Sequence, residues 1–403
     1  MKHFDYETFE RKREIFFQEP EQFTKYTDKE TLSYALGATL YMPATKKSIA
    51  RDVIDKKFAE LTSMVIDLED AVGDTQLQEA EDNLFEQMQT LYDALDKQLM
   101  TIDDLPLIFV RVRNPQQMQR ITAQIGNYQR VLTGYVFPKF SYETGKEYLA
   151  ILEANNRDDI MLYGMPILES SEIIYKETRI ETLLKIKELV DSYRKYILNI
   201  RIGATDFCGL FGIRRNVDTT IYDVALIRDC LTDILNIFNR QDNGYVVSGP
   251  VWEYFSKDHR ILKSKLRMTP FQDRYGRTGM QKRNEIIDHY IDGLINEVLL
   301  DRLNGIVGKT VIHPTHIKTV HSLYTISHEE YLDALSIMAN SEGQVGVLKS
   351  QYNNKMNEMK PHLYWAKRIL VQAKIYGVYN EDQDFTSLIM DTQLEGELYE
   401  VRV

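Results

Sequence analysis

The stretch MVIDLEDAVGD, residues 64–74, changes character twice within one short segment. Met64-Val65-Ile66 is an apolar run of the kind that fills a strand buried on both faces. It ends in three carboxylates, Asp67, Glu69 and Asp70. Gly73 and Asp74 then break the run, and a helical pattern starts, with Asp74 or Thr75 placed to cap it. Acids crowded at the end of a buried strand repel one another, and desolvation disfavours their ionised forms. A cation, a bound polar ligand or proton chemistry is therefore expected beside them.

The same alternation of short apolar runs and longer amphipathic segments extends in both directions. Candidate strands are 36–42, 64–67, 107–112, 134–137, 161–168, 198–204, 244–249 and 305–312. Between them, 75–99 sets Leu77, Ala80, Leu84, Met88, Leu91, Leu95 and Leu99 on one helical stripe. Similar stripes run through 179–196, 220–239 and 283–303. Eight strand–helix units predict an α/β fold, a parallel (β/α)₈ TIM barrel. An open doubly wound sheet is the competing architecture, but no GxGxxG follows any strand. The expected organisation is an N-terminal extension over 1–30, a barrel over 31–320 with a basic insert at 252–282, and a C-terminal extension over 321–403. The last contains helical patterns at 328–339 and 361–376 and an acidic tail.

With 403 residues, 43% of them apolar, the chain has ample material for a large core. A net charge of −11 argues against general nucleic-acid binding. Two cysteines, Cys208 and Cys230, make no disulfide framework, and a reducing cytoplasm is expected. The N-terminus lacks the apolar core of a signal peptide, and no apolar run suits a membrane span.

In such a barrel the site lies at the C-terminal ends of the strands. Polar residues collect there: Asp67, Glu69 and Asp70 after the second strand, Arg111 and Arg113 at the third, Pro138 and Lys139 after the fourth, Glu169 after the fifth, Asp206 after the sixth, and His313 after the eighth. Glu169 and Asp206, single carboxylates on neighbouring strands, suit one hard divalent cation, with water and substrate oxygens completing an octahedron. Arg111 is the candidate fork for a substrate carboxylate, with Arg113 its rival on the same face. The acidic trio is placed to hydrogen-bond metal-bound waters. Plainer readings stand beside these: a helix cap for each lone carboxylate, a solvated loop lysine for Lys139, a structural hydrogen bond for His313, and small core residues for the cysteines.

These motifs resemble the citrate lyase beta-subunit-like, class II aldolase-like enzymes of the phosphoenolpyruvate-binding TIM-barrel superfamily. The resemblance is carried by LYMPATKK (40–47), VIDLEDAV (65–72), FVRVRNP (109–115), YVFPKF (135–140), PILESSEII (166–174), IGATDFCGLFG (202–212), IYDVALIRD (221–229) and GKTVIHPTHI (308–317). Within that group the chain looks most like the carbon–carbon-lyase-like branch encoded beside bacterial tellurium-resistance and stress genes. The resemblance implies Mg²⁺, or Mn²⁺ in its place, on Glu169 and Asp206, and a substrate carboxylate on Arg111. It implies cleavage or formation of a carbon–carbon bond beside a carbonyl, in a small keto or hydroxy acid or its coenzyme A thioester. It also implies a homotrimer or higher homo-oligomer.

The chain departs from the family pattern in three places. FVRVRNP holds an extra arginine, which leaves Arg111 and Arg113 both open. Glu358 stands near the position of a base donated by a neighbouring subunit in malate-forming members, but one extra residue precedes Pro361. The basic run 257–283, with Arg274, Arg277 and Lys282, is long, and Gly276 and Gly279 suit a mobile lid over a phosphate-bearing ligand such as a nucleotide or coenzyme A ester. Three functions follow as expectations: a Mg²⁺-dependent lyase or aldolase; a Claisen-type acyl-CoA condensing enzyme with Glu358 as base; and a non-catalytic ligand-binding subunit of a stress-response assembly.

Overall fold

A computed structural model describes residues 1–157, 160–255, 289–340, 346–352 and 354–389. Cα packing divides the chain into two units, one of residues 1, 22–253 and 300–317, the other of residues 2–21, 254–299 and 318–403.

The strands in chain order begin with β1 (Phe16–Gln18) in the second unit. The first unit then contributes β2 (Ala38–Pro43), β3 (Ser63–Asp67), β4 (Leu107–Arg111), β5 (Gly134–Phe137), β6 (Tyr163–Leu168), β7 (Ile200–Ile202), β8 (Val247–Trp252) and β9 (Lys309–Val311). These eight form a closed parallel barrel in the order β2 to β9, with β2 and β9 paired to complete the ring. The (β/α)₈ architecture expected from the sequence is present. The strands are short and buried, and all of β3 through β7 is hidden, as a sheet covered on both faces requires.

The helix Leu77–Asp96 follows β3 and buries Ala80, Leu84, Met88 and Leu91 at the spacing of one helical face. Each of the larger three contributes about 1.5–3 kcal/mol by leaving water. Pro115 opens the helix Pro115–Ile125 after β4, and the Asn114 side chain accepts from Gln117 N at 2.8 Å. Ser141 and Thr144 form a capping box at the start of Tyr142–Asn155.

The details differ from expectation in several places. The seventh barrel strand starts at Val247 rather than 244, and its register with β9 shifts between Gly249 and Trp252. Pro250 lies in that interval and cannot donate to a ladder. Neither Asp74 nor Thr75 caps the helix after β3. A 3₁₀ turn, Asp74–Gln76, leads into it instead, and the Asp74 carboxylate pairs with Arg113.

In the second unit β1 pairs antiparallel with β12 (Val378–Tyr379), and β10 (Val347–Lys349) pairs with β11 (Met356–Glu358). The helices His328–Ala339 and Met359–Tyr376 pack around Ala334, Ile337, Ala366, Ile369 and Ala373. Among the described residues no helix is long and apolar enough to cross a membrane.

Candidate active site

The register of β3 on β4 sets Asp67 directly beside Arg111. Arg111 donates from Nε and Nη2 to the two oxygens of Asp67, both at 2.6 Å. This is the fork geometry that makes arginine–carboxylate pairs strong. The same Asp67 carboxylate accepts from the backbone N–H groups of Glu69 (3.0 Å) and Ala71 (3.2 Å), which folds the chain after β3 into a tight turn. That turn brings Glu69 and Asp70 back onto Nη1 of Arg111, at 3.0 and 3.1 Å. Arg111 thus stands among the acidic trio as a cation supplied by the chain itself. The Asp67 carboxylate accepts four bonds in all, two from Arg111 and two from backbone N–H groups.

Lys139 brings a second cation. Its Nζ lies 2.5 Å from Glu69, 3.9 Å from Asp70 and 3.8 Å from Asp206. It is half exposed yet engaged with three carboxylates, unlike a free loop lysine. Its backbone has φ of 45°, in the left-handed region. Such conformations cost about 1–2 kcal/mol in a residue with a side chain and persist where surrounding structure enforces them. Here the result is that Lys139 N–H donates to Glu169 Oε1 at 2.7 Å.

Glu169 follows β6 and Asp206 sits in the first turn of the helix Ala204–Leu210 that follows β7. The two carboxyls line the same cavity, near enough for the charge of Asp206 to act on Glu169. Glu169 is only 4% exposed. Burial, and then the charge of Asp206, push its carboxyl up to about 8, against the opposing pull of the Lys139 N–H and Arg111. Burial likewise raises Asp206, with Lys139 pulling the other way. Gly203 makes the approach possible, because a Cβ there would stand 2.1 Å from Glu169 Oε2. Two carboxylates raised chiefly by burial, one of them also by the charge of the other, form a donor set suited to a hard divalent cation. Among the described residues no cluster of three or more His, Cys, Asp or Glu side chains forms a self-sufficient metal cage. A cation here would take its remaining ligands from water and a bound acid.

Arg111, Glu169 and Asp206 line one cavity of about 440 Å³, together with Asp67 and Asp70. This size is in the range of small-molecule pockets, about 300–1,000 Å³. Of the two arginines in FVRVRNP, Arg111 lines the cavity and Arg113 does not. Arg113 donates to Leu68 O and Val72 O at 2.8 and 2.5 Å and pairs with Asp74, tying down the loop after β3. Pro138 is buried outside the cavity lining. His313 shares a hydrogen bond with Thr315 at 2.8 Å. Cys208 and Cys230 are buried and form no disulfide. Glu358 is an exposed residue of the second unit, its N–H donating to His362 Nδ1 at 3.1 Å. Arg274, Arg277 and Lys282 lie outside the described residues.

The cavity also contains residues that the sequence reading passed over: Tyr41, Arg201, Thr205, Glu253 and Thr310. Arg201 left the clearest trace, as one charged residue inside the apolar strand LNIRIGA (198–204).

A family model described as C-C bond lyase of the TIM-barrel fold matches residues 30–378. The structure of CitE from Mycobacterium tuberculosis, in complex with magnesium, acetoacetate and coenzyme A, aligns with a TM-score of 0.50 at 18% identity, over 85% of this chain and 99% of that one. RipC from Yersinia pestis gives 0.44 at 18% identity, over 74% and 99%. Malate synthase from Haloferax volcanii, with magnesium and glyoxylate, gives 0.46 at 12% identity, over 70% and 72%. No curated protein sequence matches. The likeness to CitE speaks for the barrel alone, whereas the family model spans nearly all of the barrel and its motifs, and by that match the chain belongs to the C-C bond lyase family of the TIM-barrel fold.

Proposed function

We propose that this protein is a Mg²⁺-dependent carbon–carbon lyase of aldolase type, acting on a small keto or hydroxy acid or its thioester. One observation supports the reading above the others: Glu169 and Asp206, from neighbouring barrel strands, line the same cavity beside Lys139, whose N–H donates to Glu169 Oε1 at 2.7 Å and whose Nζ lies 3.8 Å from Asp206. Mg²⁺ held by that pair, or Mn²⁺ in its place, supplies a Lewis acid toward a carbonyl oxygen of the bound acid.

The chain's own groups prepare this site. Lys139 N–H fixes one oxygen of Glu169 and leaves the other facing Gly203. Asp67, Glu69 and Asp70 hold the Arg111 guanidinium from three directions, so it needs no reorganisation when a ligand enters. Nη2 of Arg111 gives one N–H to Asp67 and keeps a second for an acid oxygen. The Lys139 ammonium, near both Glu69 and Asp206, balances negative charge at the same wall.

The test is a calorimetric titration of Mg²⁺ and Mn²⁺ into the full chain and its Glu169→Gln and Asp206→Asn variants. It is followed by assay of pyruvate, oxaloacetate or glyoxylate release from a panel of hydroxy-keto acids and their thioesters. Metal binding lost in both variants, with turnover that stops in a chelator, supports the reading. Equal metal binding in all three proteins removes it, as does turnover that persists in the chelator.

A further inference from the structure

Arg201 is 1% exposed, yet it lines the cavity. It lies in β7, level with Ile167 of β6 and Ser248 of β8. Its side chain enters the barrel lumen, where side chains from three other strands meet it. Nη2 donates to Thr310 Oγ1 of β9 at 2.6 Å, Nη1 lies 3.9 Å from Met165 Sδ of β6, and the guanidinium stands 5.7 Å from the Tyr41 ring centroid of β2. Barrel lumens are ordinarily filled by branched apolar side chains. A guanidinium there is costly to bury unless a counter-charge completes it.

The two arginines of the cavity differ sharply in this respect. Arg111 is compensated by three carboxylates. Arg201 forms no ion pair with any described residue; Thr310 and Tyr41 are neutral partners, and the charge of Arg111 opposes it. Both guanidinium groups stand near the one Tyr41 ring, Arg111 at 5.3 Å from its centroid. Of the two guanidinium groups lining the cavity, Arg201 is thus the one that no carboxylate among the described residues pairs with.

From this placement we infer that Arg201, with Thr310 and Tyr41, forms a carboxylate-binding subsite inside the barrel lumen, separate from Arg111. The subsite receives the carboxylate of a small organic acid on the free edge of the Arg201 guanidinium. Arginine presents paired N–H groups whose spacing matches a carboxylate. A phosphoryl group is disfavoured, because Asp67, Asp70, Glu169, Asp206 and Glu253 line the same cavity and repel a second negative charge. Identifying the bound acid as the substrate rests on the lyase reading above; anion binding itself does not.

The experiment uses the full chain in the presence of a chelator, with pyruvate and its neutral counterpart pyruvamide as probes, followed by ligand-observed NMR and calorimetry. Wild type is expected to prefer pyruvate, and Arg201→Met to lose roughly ten- to a hundredfold of that affinity and with it the discrimination. Thr310→Val and Tyr41→Phe should each weaken pyruvate severalfold, and they decide the matter if Arg201→Met does not fold. Pyruvate binding unchanged in Arg201→Met, or in both milder variants, overturns the subsite, as does a wild type that fails to prefer pyruvate. A parallel Mn²⁺ titration separates the two readings. Manganese binding equal in wild type and Arg201→Met leaves the metal pair intact, whereas wild type that binds pyruvate but no manganese removes the lyase reading and keeps the subsite.

Discussion

Asp67 and Arg111 face each other across the β3–β4 register and join through two hydrogen bonds of 2.6 Å, with almost no solvent access to either. Removing Asp67 takes away the two shortest bonds to a buried guanidinium and leaves Glu69 and Asp70, both at Nη1, to balance it. Asp67→Asn should lower unfolding free energy by about 1.5–3 kcal/mol, and adding Arg111→Met, which leaves Glu69 and Asp70 without their guanidinium, should lower it further. Urea unfolding of the single and double variants measures this. A single variant within about 1 kcal/mol of wild type refutes the account.

The Glu169 carboxyl, pushed up to about 8, sets a pH dependence whose sign is fixed. Its ordinary value is 4.5, so between about pH 4.5 and 8 the folded protein holds a proton that the unfolded chain has released. Stability from this group is therefore fully present at low pH and falls as pH rises through that window. A divalent cation on Glu169 must displace the same proton. Metal affinity should rise about tenfold per pH unit from pH 6 towards 8 and then level off. Calorimetry in buffers of different ionisation enthalpy should detect about one proton released per metal at pH 7. No proton release at that pH contradicts the assignment.

Gly203 is the spacer that lets Glu169 reach its place. A methyl group there would lie 2.1 Å from Glu169 Oε2 and 2.4 Å from its Cβ, so the glutamate must turn away. Gly203→Ala should weaken Mn²⁺ binding at least about tenfold, the effect of displacing a ligand by a fraction of an ångström. Circular dichroism should remain unchanged, since the clash falls on a side chain. Full metal affinity in this variant would show that Glu169 has no part in holding the ion.

The barrel was legible because parallel strands buried on both faces are written as continuous apolar runs: MVID, LIFVRV and GYVF declare themselves without any tertiary information. The limits of β8 were not, because Pro250 shifts a register that depends on β9, far along the chain. The DLED carboxylates were readable as a cluster needing a cation, a polar ligand or proton chemistry beside it. Their partner was hidden, since only strand register places Arg111 beside Asp67 and leaves Arg113 to bind the loop carbonyls. Arg201 was overlooked for a related reason. A single arginine in an apolar strand has no periodicity of its own, and its meaning depends on which strands surround it. The short helices Ile49–Ile54 and Ser171–Ile174 span too few turns to establish a stripe.

Lys139 offers a test in which backbone and side chain can be separated. Its φ of 45° favours glycine, while its ammonium contacts Glu69 and Asp206 through a half-exposed side chain. Exposed ion pairs contribute about 0–1 kcal/mol, and relieving the left-handed conformation returns about 1–2 kcal/mol, less the added freedom of glycine in the unfolded chain. Lys139→Gly should therefore match wild type within about 1 kcal/mol, while Lys139→Met, which loses the charge and keeps the strain, should fall below it. Both variants retain the N–H that binds Glu169, so metal affinity should change less in either than in Gly203→Ala. Urea midpoints and Mn²⁺ titrations on the same preparations resolve the two effects. Lys139→Met proving the more stable of the pair would mean that the backbone conformation at this position carries no strain.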